Sequence, residues 1–165
     1  MRWVRFAVIL SFVTVLQDGV IDVIAVTNSN IKPDLLLILL IFFAIYCSTT
    51  EAIVTSFTIG FAADLISSVM GPRMISFGLF GTVLAYLHQV IAIRKMPYQS
   101  LAILLIGFLT GALIHLLTIL KDPDGASNIY AVLFGTPLYS AIVGPFLFLP
   151  SAWWMRIKTH RFSKN

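Results

Sequence analysis

The chain has 165 residues, of which 59% are hydrophobic and 11% are charged, and its formal net charge is +4. Soluble domains carry about a quarter charged residues, so this composition indicates a membrane protein and excludes an ordinary water-soluble domain. A bilayer-spanning helix needs roughly 20 mainly apolar residues. Six such segments nearly fill the chain, so we predict a single all-α membrane domain over residues 1–165.

Apolar runs separated by short polar stretches predict six transmembrane helices. In chain order they cover residues 3–24, 33–48, 51–67, 74–94, 98–120 and 129–156. The first run follows two arginines, as in a signal peptide, but Asp18 and Asp22 interrupt the place where cleavage would fall, so we expect a retained helix. The second and third helices are short, which leaves a tilted or re-entrant pair as an alternative to two full spans.

Basic residues decide the expected orientation in the membrane. With six spans, eight basic residues lie on one side and three on the other. The eight are Arg2, Arg5, Arg94, Lys95, Arg156, Lys158, Arg161 and Lys164, and the three are Lys32, Arg73 and Lys121. The richer side faces the cytoplasm in most membrane proteins, so we predict that both termini are cytoplasmic. We attribute the positive charge to orientation and to contact with anionic lipid, and expect no nucleic-acid binding.

The third predicted helix carries a carboxylate among residues that suit lipid. Ala52, Ser56, Gly60 and Asp64 recur every four residues and therefore share one face of the helix. Small residues at this interval let membrane helices approach closely. We expect this face, including Asp64, to contact other helices.

The fifth helix repeats this arrangement, because Gly107, Gly111 and His115 also share one face. At about 1.5 Å per residue, His115 and the Asp18 of the first helix reach a depth similar to that of Asp64. We predict a polar partner for Asp64, with Asp18 and His115 as candidates. The candidate interior or partner-binding residues are Asp64, His115, Asp18, Gly60, Gly107 and Gly111. Polar packing or capping, partner contact, and ligand or proton handling all remain open for them.

The sequence has no recognisable catalytic or cofactor motif. It contains no GxSxG, no HExxH and no glycine-rich phosphate loop. The three histidines have no metal-ligand spacing, and Cys47 is the only cysteine. We therefore predict a protein that is not an enzyme, with no cofactor and no metal.

The residues from 32 to 87, "KPDLLLILLIFFAIYCSTTEAIVTSFTIGFAADLISSVMGPRMISFGLFGTVLAYL", follow a recognisable order of features. A Pro-acidic pair begins a leucine-rich helix, a polar corner follows, and the next helix carries glycine and an aspartate. A short loop then leads to a helix with the rhythm "FGLFG". This order, together with the basic ends of the chain, resembles the MreD family of bacterial rod-shape-determining proteins.

The resemblance implies a scaffold in the cell-wall elongation complex that helps regulate peptidoglycan synthesis. The implied partners are a single-span protein such as MreC, together with MreB, RodA and a class B penicillin-binding protein. It also implies a six-helix fold similar to the substrate-binding subunits of energy-coupling-factor transporters. The alternative is therefore a small-molecule (vitamin-type) binding subunit with an outer-side cavity.

Overall fold

The computed structural model describes residues 3–19, 33–67, 70–90, 96–121 and 129–155. Within these ranges the regular structure is entirely helical, so the prediction of an all-α bundle is confirmed. The predicted extensions of three helices to residues 24, 94 and 156 lie outside the described residues. The helices are α1 (Trp3–Gly19), α2 (Leu35–Tyr46), α3 (Thr49–Leu65), α4 (Pro72–Val90), α5 (Met96–Lys121) and α6 (Ile129–Met155).

Helix α2 is the centre of the bundle. Every residue from Leu36 to Ile45 exposes 3% or less of its surface, and α2 contacts each of the other five helices. The sequence of α2, LLLILLIFFAIY, has no polar face that could be turned towards water. A helix that is apolar on all sides is stable only when it is surrounded, and here its neighbours are other helices of the same chain.

Aromatic side chains join α2 to the first and last helices. The Phe6 ring of α1 lies edge-on to Phe43 with 5.0 Å between ring centroids, and Phe148 of α6 lies edge-on to Phe42 at 5.5 Å. Tyr46 packs beside Phe42 at 4.9 Å. Edge-to-face pairs of this kind stabilise a fold by about 0.5–1.5 kcal/mol beyond the area that they bury. These contacts fix the register of α1 and α6 against α2.

The five outer helices expose large apolar side chains. Val8 and Phe12 of α1, Phe61 of α3, Leu105 of α5 and Phe146 of α6 are all exposed, and each has exposed apolar neighbours on its own helix. By length and composition, Tyr98–Leu120 is the one helical segment of the described ranges that could cross a membrane, with a mean hydropathy of 2.4. An apolar surface distributed over every outer helix suits a lipid environment and would be unstable in water.

The two ends of the bundle are distinguished by the helix termini that meet there. At one end, Arg5 of α1 donates to the Trp154 carbonyl of α6 at 3.3 Å, and the Trp154 indole donates to the Arg5 carbonyl at 3.3 Å. At the same end, the Gln99 amide of α5 donates to the Tyr46 hydroxyl at 3.0 Å. We call this the Arg5 end. The opposite end, where α3 finishes and α4 begins, is the Asp64 end.

Candidate functional site: polar contacts at the helix ends

Asp64 joins the last turn of α3 to the first turn of α4. The residue is 3% exposed, and its carboxylate accepts hydrogen bonds from the backbone amides of Arg73 at 3.1 Å and Met74 at 2.9 Å. The first amides of a helix have no partner within that helix, and a negative charge near them is favourable. Gly71, with a φ of +112°, gives the turn a conformation that other residues rarely adopt. Asp64 therefore caps the helix that follows its own.

The small-residue face of α3 packs against α4. A Cβ atom added at Gly60 would lie 2.7 Å from the Met74 Cα atom, so the two backbones approach too closely for a side chain. One turn earlier, Ser56 faces Gly81 of α4, and its hydroxyl donates to the Ala52 carbonyl at 2.7 Å. Close helix contact of this type is what small residues at four-residue spacing permit. The partner of this face is α4 of the same chain.

A second set of polar contacts closes the start of α2. Asp34 caps the helix, because its carboxylate accepts from the Leu37 amide at 3.0 Å. Gln17 of α1 accepts from the Leu35 amide at 2.8 Å, and Ser140 of α6 accepts from the Asp34 amide at 2.8 Å. Backbone groups at membrane depth must be satisfied by protein, and α2, about 18 Å long, is short for a bilayer core of about 30 Å. Gln17, Asp34 and Ser140 provide the hydrogen-bond acceptors that the start of α2 needs.

The other predicted polar residues lie apart from Asp64. Asp18 is exposed at the end of α1, and His115 is partly exposed on α5. Among the residues that the structure describes, no hydrogen bond joins either of them to Asp64. The Asp64 carboxylate has backbone amides as partners instead of the side chains that the sequence suggested, because the start of α4 offers unpaired donors next to it.

The two glycines of α5 have different surroundings. A Cβ atom at Gly107 would lie 2.9 Å from Leu37 Cδ2 and 3.0 Å from Pro137 Cβ, so Gly107 lets α5 approach both α2 and α6. Gly111, one turn further along, is only partly buried. The glycine pair therefore spans the transition from the tightly packed part of α5 to its more open part.

Two grooves open on the surface of the described helices, and both are apolar. One, of about 440 Å³, lies between α1 and α6 with α2 as its floor. The other, of about 640 Å³, lies between α5 and α6. Neither is lined by Asp18, Asp64 or His115. Within the described residues no group of three or more His, Cys, Asp or Glu side chains could hold a metal ion.

Cys47 lies at the corner between α2 and α3 and is partly buried. Burial, and after it the negative charge of Glu51, raise the pKa of its thiol to about 11. The thiol is therefore neutral at physiological pH, which makes it a poor nucleophile. The polar side chains at the helix ends accept hydrogen bonds from backbone amides and so hold those ends in place. Their geometry supports this structural role.

Residues 1–158 match the sequence profile of a family described as rod shape-determining protein MreD. This chain belongs to the MreD family. Members of the MreD family are shape-determining structural proteins of the membrane, and the family belongs to the rod-shape complex. Comparison with curated proteins and with solved structures gives no match.

Sequence reasoning missed two of the polar residues in this MreD-family chain. Gln17 and Ser140 were not singled out, although both bind the start of α2. Asp34 has a local signal, because an acidic residue directly before a run of leucines is typical of a helix N-cap. Gln17 and Ser140 have no such local signal. Each bonds to a residue of another segment, 18 residues away for Gln17 and 106 residues away for Ser140, so the contact exists only once the helices have packed.

Proposed function

We propose that this chain is a non-enzymatic scaffold of the cell-wall elongation complex, crossing the inner membrane six times with both termini in the cytoplasm. Its partner is a single-span protein such as MreC, and through it the chain joins MreB, RodA and a class B penicillin-binding protein. In this role the protein helps to regulate peptidoglycan synthesis by positioning its partners. Family membership supports the assignment, since rod-shape determination is the role that the family carries.

The observation that carries the proposal is that the centre of the bundle is filled by a helix. The residues of helix α2 are buried on all sides, packed against the other five helices. The buried carboxylate of Asp64 and the partly buried carboxylate of Asp34 accept hydrogen bonds from backbone amides. A protein with this interior acts through its outer surface, so binding to other membrane helices is the function that best fits it.

We infer that the partner helix docks along the α5–α6 groove. This groove is lined by Leu101 and Leu104 of α5 and by Ala141, Ile142 and Pro145 of α6. Ala141 leaves room at the base of the groove, and the flanking leucine and isoleucine side chains are the kind that pack against a passing helix. Gly111 and His115 continue along α5 beyond this groove and are candidate contacts for the same partner.

A pair of matched tryptophan substitutions tests this surface. Ile142→Trp places a large ring in the groove, whereas Val83→Trp places the same ring on the exposed face of α4. We expect Ile142→Trp to reduce co-purification of an epitope-tagged MreC by about tenfold, the equivalent of about 1.4 kcal/mol, and Val83→Trp to leave it unchanged. Equal recovery of MreC by the two variants, at equal amounts in the membrane, would contradict the docking site. If MreC does not co-purify with the unmodified protein, the scaffold function itself is contradicted.

A further inference from the structure

The α1–α6 groove begins beside a direct contact between its two walls. Helices α1 and α6 meet at the reciprocal contacts between Arg5 and Trp154, and the groove begins directly beyond this junction. Phe12 and Leu16 of α1 form one wall, and Leu39 of α2 forms part of the floor. This groove, called the slot below, leads from the Arg5 end towards the start of α2.

The lining of this slot selects an apolar occupant. Its walls are aliphatic and aromatic side chains, and the one hydroxyl among them, that of Ser151, already donates to the Leu147 carbonyl at 2.9 Å. No lining side chain is charged. An occupant with polar groups inside the slot would leave them unpaired at a cost of roughly 1–3 kcal/mol each.

The volume of the slot matches one hydrocarbon chain. A methylene group takes about 30 Å³, roughly the share of one water molecule in liquid water. The volume of 440 Å³ therefore holds about fifteen methylene groups. A single lipid acyl chain therefore fits the slot.

The positive charge at the Arg5 end of the slot indicates the headgroup. Arg5 places a guanidinium beside Trp154 at the Arg5 end, and Arg2, Arg156 and Lys158 are close to these two residues in the sequence. Clusters of basic residues beside membrane helices attract anionic lipids, and indole rings favour the headgroup level. We propose that the α1–α6 groove binds one acyl chain of an anionic phospholipid, with its headgroup beside Arg5.

Photolabelling in lipid nanodiscs tests this site independently of any protein partner. The probes are phosphatidylglycerol and phosphatidylcholine, each carrying a diazirine in one acyl chain, and the labelled residues are identified by mass spectrometry. We expect phosphatidylglycerol to label residues 8–16 and 147–154 about fivefold more than phosphatidylcholine does, because one arginine near the membrane surface favours anionic lipid by about this factor. Equal labelling by the two probes, or labelling spread evenly over the exposed helices, would overturn the proposal. Residues 8–16 left unlabelled by both probes would overturn it as well, since the slot would then be closed by protein.

Variants separate the acyl-chain site from the headgroup contact. Val13→Trp fills the slot and should remove the enrichment, while Val83→Trp on α4 should preserve it. Arg5→Gln should remove the preference for phosphatidylglycerol, and Arg5→Lys should retain it because the positive charge remains. Retained enrichment in Val13→Trp, or a preference unchanged in Arg5→Gln, would contradict the assignment.

Discussion

The Oδ2 atom of Asp64 lies 2.9 Å from the backbone nitrogen of Met74, ten residues further along the chain. The same carboxylate reaches the Arg73 amide with its other oxygen. One side chain thus ends α3 and begins α4, and it brings the start of α4 against Gly60. The close packing of the two helices and the capping of the second depend on each other, because both use the first turn of α4.

We expect Asp64→Ala to destabilise the protein. The substitution leaves two partly buried amides without an acceptor and removes a negative charge from a helix N-terminus. The free energy of unfolding should fall by about 1–3 kcal/mol. Thermal unfolding in detergent micelles measures the change, and Asp64→Asn should be affected less because its amide oxygen can still accept one hydrogen bond.

Asp18→Ala is the matched control for this change. Asp18 is a helical aspartate at the same end of the bundle, but it is exposed. We expect its replacement to leave the unfolding temperature unchanged, because exposed substitutions away from special contacts have small effects. If Asp64→Ala and Asp18→Ala unfold at the same temperature, the capping role of Asp64 is wrong.

A methyl group at Gly60 should separate α3 from α4. In Gly60→Ala the new Cβ atom would lie 2.7 Å from the Met74 Cα atom and 3.1 Å from the Arg73 carbonyl oxygen, and backbone cannot move aside as a flexible side chain can. Overpacking of this kind costs about 1–3 kcal/mol. Gly19→Ala is the control, since nothing lies within 4 Å of its added Cβ atom. Thermal unfolding of both variants in the same detergent gives the comparison, and equal unfolding temperatures would contradict the close approach.

Because Gly60 packs against α4, a substitution there does not test binding of an external partner. The sequence treats Gly60 and Gly111 alike, as members of small-residue faces that could accept a partner. In the structure Gly60 is covered by α4, so a leucine there disturbs the fold before it disturbs any interface. Gly111 is partly exposed and remains suitable for that purpose.

Local patterns were sufficient to predict the helical class and the inward direction of Asp64. Four-residue spacing of small residues identified the face that packs, since spacing on a helix fixes which side chains are neighbours. The sequence could not show that α2 is surrounded by the other five helices. A run such as LLLILLIFFAIY is apolar on all sides of the helix. Because it has no polar face, its sequence does not indicate whether lipid or other helices surround it.

The identity of the Asp64 partner was beyond sequence reasoning for a related reason. Side chains at a similar depth can be recognised in the sequence as candidate partners, whereas backbone amides carry no residue type and leave no mark in it. Depth along the helix axis was also insufficient, because Asp18 and His115 belong to other helices whose rotation is set by packing. The long-range contacts of Gln17 and Ser140 were missed on the same grounds.

The thiol of Cys47 should react slowly and without a plateau at ordinary alkaline pH. With a pKa of about 11, about one thiol in a thousand is ionised at pH 8, against about one in four for a thiol of pKa 8.5. The rate of maleimide labelling should therefore rise about tenfold per pH unit from 7 to 10. Glu51→Gln should lower the pKa and increase the rate, because a negative charge that opposes ionisation is removed.

An engineered cysteine at the neighbouring position serves as the reference for this measurement. Ser48 is exposed, so Ser48→Cys in a Cys47→Ser background should label faster and level off near pH 9. A labelling rate for Cys47 that levels off below pH 9.5 would show that burial does not control this thiol.

The proposed membrane orientation predicts which end of the chain an impermeant reagent can reach. Arg5 and Trp154 are hydrogen-bonded, so the first and last helices have these ends on the same side of the bundle. In the proposed six-span arrangement, eight basic residues of the sequence belong to that side and three to the other, which favours the cytoplasm for it. In a Cys47→Ser background, Asp124→Cys should be labelled by a charged maleimide added to intact spheroplasts, and Ser163→Cys only after the membrane is permeabilised. Labelling of Ser163→Cys in sealed cells would contradict the cytoplasmic placement of the C-terminus. Because Arg5 and Trp154 are hydrogen-bonded, it would also place Arg5 on the outer side of the membrane, away from the anionic inner leaflet.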